Sequence, residues 1–89
     1  MEGNEEIRRT AEDDAAIEAA VLAQMLALHP AVMSLAELIR EMGEDADPEG
    51  REAVERAVRD LVAAGLLHRD GAFVRPTRAA LRFDQLLEG

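Results

Sequence analysis

The 89-residue chain has no cysteine, tryptophan, tyrosine or lysine. Without cysteine there is no disulfide staple, thiolate metal site or thiol nucleophile. Phe73 and Phe83 are the only aromatic residues, so aliphatic side chains must fill the core. Hydroxyl side chains are equally scarce. Thr10, Ser34 and Thr77 each stand where a helix cap is expected, and capping accounts for all three. There is no G-x-S-x-G, no glycine-rich phosphate loop and no H-E-x-x-H. These absences argue against an enzyme and against any cofactor or metal. The longest apolar stretch, residues 19–28, is interrupted by Gln24 and is too short to cross a bilayer. The first ten residues, MEGNEEIRRT, lack the positive start and apolar stretch of a signal peptide. The expectation is a cytoplasmic protein with no membrane partner.

What is present suffices for one small domain. Apolar residues make up 48% of the chain, too many for a disordered segment and enough for a single core. Nineteen acids against ten arginines leave a net charge of −9, which opposes non-specific attraction to phosphate or anionic lipid. The deficit is uneven. Residues 1–20 and 37–60 each carry −5, whereas residues 61–89 hold four arginines against three acids.

Punctuation divides the chain. Residues 1–10 read as a flexible acidic tail and residues 11–89 as the domain. Thr10 and Asp13 have the spacing of a capping box, opening a helix that runs to Leu28, since Pro30 cannot continue it. Ile17, Val21, Met25 and Leu28 share one side of that helix, while Ala15, Ala19, Leu22 and Leu26 lie nearly opposite. Two apolar stripes mean either a helix through the middle of the domain or a second side that meets another copy as a dimer interface. A short extended link over 31–33 follows. Ser34 and Glu37 then form a capping box for a two-turn helix that ends at Gly43. The loop 43–47 is acidic and expected to be exposed, and Glu44, Asp45 and Asp47 there lack the spacing of a calcium loop.

Asp47 as N-cap and Pro48 at the first position open a third helix. Val54, Ala57, Val58, Leu61 and Val62 recur on its inner side, and Gly65 ends it. Segments 66–69 and 72–75 then flank Asp70-Gly71, a pair suited to a type I′ turn that sets Leu67 opposite Val74 and His68 opposite Phe73. Each pair contains a large apolar group, so the sequence does not say which faces the helices. Thr77 caps a last helix to about Leu87, with Ala79, Ala80, Phe83, Leu86 and Leu87 as its apolar side. His29, near a helix C-terminus, and His68, on a strand, stand apart in sequence and have separate structural rationales.

The order is helix, short strand, helix, helix, two-stranded hairpin, helix: mainly α with a small β-hairpin. Residues 34–43 (SLAELIREMG), 54–67 (VERAVRDLVAAGLL) and 68–77 (HRDGAFVRPT) resemble the winged helix-turn-helix family of DNA-binding domains, as found in bacterial regulators. The likeness spans roughly residues 15–87. It implies a transcription regulator that reads double-stranded DNA with helix 49–64 and the 66–75 wing. On that reading Glu52, Arg56 and Arg59 face the groove, and Arg69 and Arg75 hold the backbone. Glu49 and Asp60 share the same outward side, and Glu52–Arg56 and Glu55–Arg59 have the i, i+4 spacing of a solvated, salt-bridged face. The alternative is therefore an acidic winged-helix module for protein contacts or homodimerisation that does not bind DNA, with Ala15, Ala19, Leu22 and Leu26 at its interface.

Overall fold

A computed structural model describes the backbone of residues 2–44 and 47–88, and side chains from residue 13 onward in those ranges. The elements are α1 (Glu2–Leu28), β1 (Met33–Ser34), α2 (Leu35–Glu41), α3 (Pro48–Ala63), β2 (Leu67–Asp70), β3 (Phe73–Pro76) and α4 (Arg78–Glu88). The three strands form one antiparallel sheet in the order β1-β3-β2. The molecule is thus mainly helical, with four helices and a small sheet, in the element order expected from the sequence.

Local chemistry explains most boundaries. The Ser34 hydroxyl accepts the Glu37 N–H at 3.1 Å and donates to its carboxylate at 3.1 Å, starting α2 directly from β1. The Asp47 carboxylate accepts from Glu49 N at 3.1 Å, and Pro48 occupies the first helical position of α3. Both helices end alike. Glu44 N bonds Ile39 O and Gly43 N bonds Arg40 O behind α2; Leu66 N bonds Leu61 O and Gly65 N bonds Val62 O behind α3. This paired pattern is the Schellman motif, and it needs the left-handed backbone that Gly43 (φ 76°) and Gly65 (φ 81°) provide.

The first helix departs from expectation. It begins at Glu2, so Thr10 lies inside it and does not start it. No proline interrupts residues 2–28, and glutamates at positions 2, 5 and 6 suit a helix N-terminus. A Thr-x-x-Asp spacing is equally compatible with a helix interior when nothing upstream stops the chain. The proposed Thr10–Asp13 hydrogen bonds involve the Thr10 side chain, which lies outside the described residues.

The hairpin departs in register. Leu67 faces Pro76, His68 faces Arg75, Arg69 faces Val74 and Asp70 faces Phe73, so the loop is Gly71-Ala72, not Asp70-Gly71. Gly71 alone has positive φ (61°), the signature of a type II′ turn with glycine first; type I′ needs two such residues. The shift of one residue in each strand alters every partner but leaves each side chain on its face. Leu67, Val74 and Pro76 are buried, whereas His68, Asp70, Phe73 and Arg75 face outward, which settles the side the sequence left open.

The core joins Val21 and Met25 of α1, Leu38 and Ile39 of α2, Val54, Ala57, Val58 and Leu61 of α3, and Leu67 and Val74 of the sheet. Burial at about 25 cal/mol per Å² of apolar surface makes this cluster the main stabilising term. Among the described residues no polar side chain is buried. Val62, expected inside, lies at the α3 edge and is 37% exposed. The apolar side of α4 lies largely outside this core. Its buried residue is Ala80, while Phe83 (60%), Leu86 (62%) and Leu87 (71%) stand in water and Ala79 is exposed. The stripe is amphipathic, but it faces away from the domain.

Candidate nucleic-acid interface

Because the Val54, Val58 and Leu61 side of α3 is buried, helical geometry turns Glu49, Glu52, Arg56 and Arg59 outward, and all four are exposed. Asp60 is exposed beside them. The expected i, i+4 pairs do not close among the described residues. Arg56 instead extends its guanidinium to Asp14 of α1, Nη2 to Oδ1 at 3.6 Å, with the two side chains 50% and 34% exposed. The pair arises because α1 lies across α3 and brings Asp14 to its edge. Such an exposed pair is worth about 0–1 kcal/mol. Arg59 has no ion-pair partner among the described residues.

Two further arginines project from the hairpin. Arg69 sits at its tip, where Nε donates to Gly71 O at 3.1 Å and holds the side chain against the turn. Arg75 stands on the outer face opposite His68, and no carboxylate pairs with it among the described residues. Of the five residues assigned to DNA contact, Glu52 and Arg59 thus share the α3 face, Arg56 lies there but is engaged by α1, and Arg69 and Arg75 lie on the hairpin that follows.

The other candidate surface is the second stripe of α1. Ala15 and Ala19 are exposed, Leu22 is half-buried against the core, and Leu26 is half-buried. Val21 and Met25 are fully buried on the first stripe. Hence α1 is not enclosed on all sides: one side makes the core, and the alanine side remains open.

One constellation was not legible in the sequence. His29, after α1, and His68, on β2, meet with Arg75 and Arg78 along an open groove of about 490 Å³. The His29–Pro30 peptide, which is cis, lies at its edge. The four residues come from separate parts of the chain, and no spacing rule joins them. The one available signal was strand parity, which puts His68 and Arg75 on the same outer face.

Of Glu44, Asp45 and Asp47 in the acidic loop, Asp45 lies outside the described residues. Glu44 is half-buried and lies over Gly50 in the first turn of α3. Among the described residues no three of His, Asp or Glu are grouped to hold a metal ion, and no helix is long and apolar enough to cross a membrane. Comparison with protein-family models, with curated proteins and with solved structures found no match to this chain.

Proposed function

We propose that this chain is a winged-helix DNA-binding protein acting as a transcriptional regulator. On this reading α3 enters the major groove, and the β2–β3 hairpin is the wing that lies on neighbouring backbone. The element order and the direct passage from α3 into the hairpin support it. The observation that carries it is electrostatic. In a chain with nineteen acids and ten arginines, Arg59, Arg69 and Arg75 have no carboxylate partner among the described residues, and they lie on the two elements assigned to DNA. Glu52 suits the exocyclic amine of cytosine, and Arg56 leaves Asp14 at little cost because that pair is exposed.

Fluorescence anisotropy with mixed-sequence duplexes at about 50 mM salt is the test. Micromolar binding that Arg56→Glu with Arg59→Glu abolishes is the expected result. No binding at micromolar protein, or binding indifferent to that double change, removes the reading.

The exposed Phe83, Leu86 and Leu87 favour a second reading, an acidic module for protein contacts or self-association. Light scattering distinguishes it: a dimer that Phe83→Glu dissociates, in a protein that ignores DNA, selects the second reading. A monomer at every concentration, unchanged by Leu22→Glu or Leu26→Glu, removes its dimeric form.

A further inference from the structure

The groove beside the hairpin unites four basic side chains in a strongly acidic molecule. His68 and Arg75 are cross-strand neighbours on the outer face, Arg78 opens α4, and His29 follows α1. Among the described residues no aspartate or glutamate lines the groove. Asp70 borders an adjoining smaller hollow that shares Val32 and Arg75. Neither arginine side chain, and neither imidazole, has a hydrogen-bond or ion-pair partner among the described residues. Two arginines left close together and unpaired, in a chain where acids outnumber bases almost two to one, create a local positive hollow that the protein itself does not neutralise.

The chemistry of the lining selects the ligand. Guanidinium groups present a planar fork that matches phosphate oxygens, and each imidazole offers a ring N–H. The groove also reaches Thr77 and Arg78 at the start of α4, where the helix dipole favours negative charge. Pro30, Val32 and Pro76 supply an apolar wall. A volume of about 490 Å³ falls in the size range of small-molecule sites, roughly 300–1,000 Å³. We propose that this groove binds the phosphoryl group of a small phosphorylated molecule, with Arg75 and Arg78 as the anion forks, His29 and His68 as additional donors, and the proline–valine wall against the rest of the ligand. A nucleic-acid backbone presents the same phosphoryl chemistry, but from a broad convex surface that meets protruding elements more readily than a hollow.

The test is a titration of the protein with inorganic phosphate, followed by amide NMR against sodium chloride at matched ionic strength, with a mixed-sequence duplex as a second arm. Saturable shifts centred on His29, His68, Arg75 and Arg78 are expected with phosphate. Arg75→Gln with Arg78→Gln should weaken them by about tenfold or more, each lost charge-assisted contact being worth a large part of that factor. Both arginines are exposed, and a dispersed spectrum verifies that the variant folds. Shifts that chloride reproduces, or that survive the double change, overturn the proposal. So does a groove that responds to the duplex and not to phosphate, which would assign it to nucleic-acid backbone. Arg56→Glu with Arg59→Glu lies outside the groove and should leave the phosphate titration unchanged, so failure of the α3 reading and failure of this site are separately visible.

Discussion

Replacing Thr77 with valine would test the joint that connects α3, the hairpin and α4. The Thr77 hydroxyl donates to Gly65 O at 2.7 Å and more weakly to Leu66 O at 3.3 Å, and it accepts from Ala80 N at 3.2 Å as the cap of α4. The Thr77 backbone N–H bonds Leu66 O at 3.0 Å and survives the substitution. Valine keeps the shape and removes the oxygen. Loss of the cap costs about 1 kcal/mol. Loss of the bond to Gly65 adds about 0.5–1 kcal/mol and no more, because that carbonyl is exposed and water replaces the donor. The expected total is about 1.5–2 kcal/mol, a large part of the roughly 5 kcal/mol at the low end of domain stabilities. Urea unfolding followed by circular dichroism, with a slope near 1 kcal/mol/M, should show the midpoint falling by roughly 1.5–2 M. Thr77→Ser retains the hydroxyl and should lose less than half as much. A valine variant within about 0.5 kcal/mol of the parent, or a serine variant equally damaged, would refute the hydrogen-bond account.

Three other perturbations have defined outcomes. Leu61, 4% exposed at the centre of the core, should cost roughly 2–4 kcal/mol as alanine in the same urea assay, a large share of a stability of about 5 kcal/mol. Gly65→Ala forces a side chain into positive φ (81°) with no steric neighbour nearby, so the loss should be the backbone term alone, about 1–2 kcal/mol in thermal unfolding. Phe83→Gln removes an exposed ring from α4 and should shift stability by less than about 0.5 kcal/mol; a larger loss would mean that the ring is covered in solution.

The sequence was most informative where a boundary or a buried face depends on local chemistry. Asp47, Pro48 and Gly65 bracket α3, because a carboxylate cap, a missing N–H and a left-handed glycine each have one natural place in a helix. The inner residues Val54, Val58 and Leu61 followed from helical period. Three features were not legible. The start of α1 was misplaced because a capping spacing carries information only where the preceding residues resist helix. The hairpin slipped because Asp-Gly and Gly-Ala both provide a glycine turn, and both registers leave each side chain on the same face. The outward direction of the α4 stripe could not be read, because periodicity reports which side of a helix is apolar, not which side the rest of the chain covers. In the candidate interface, the outward positions of Glu52, Arg56 and Arg59 followed from the buried face opposite. The Asp14 contact did not, because it depends on how α1 crosses α3, and the meeting of His29, His68, Arg75 and Arg78 depends on the tertiary fold alone.

The water-facing Phe83, Leu86 and Leu87 sit on a molecule of charge −9, so mutual repulsion counters any tendency of those side chains to bring copies together. That repulsion reaches about 10 Å at 0.1 M salt and only about 3 Å at 1 M. Raising ionic strength should therefore promote self-association through α4 while dissolving any complex held by phosphate contacts. A single salt series followed by sedimentation would push the two behaviours in opposite directions.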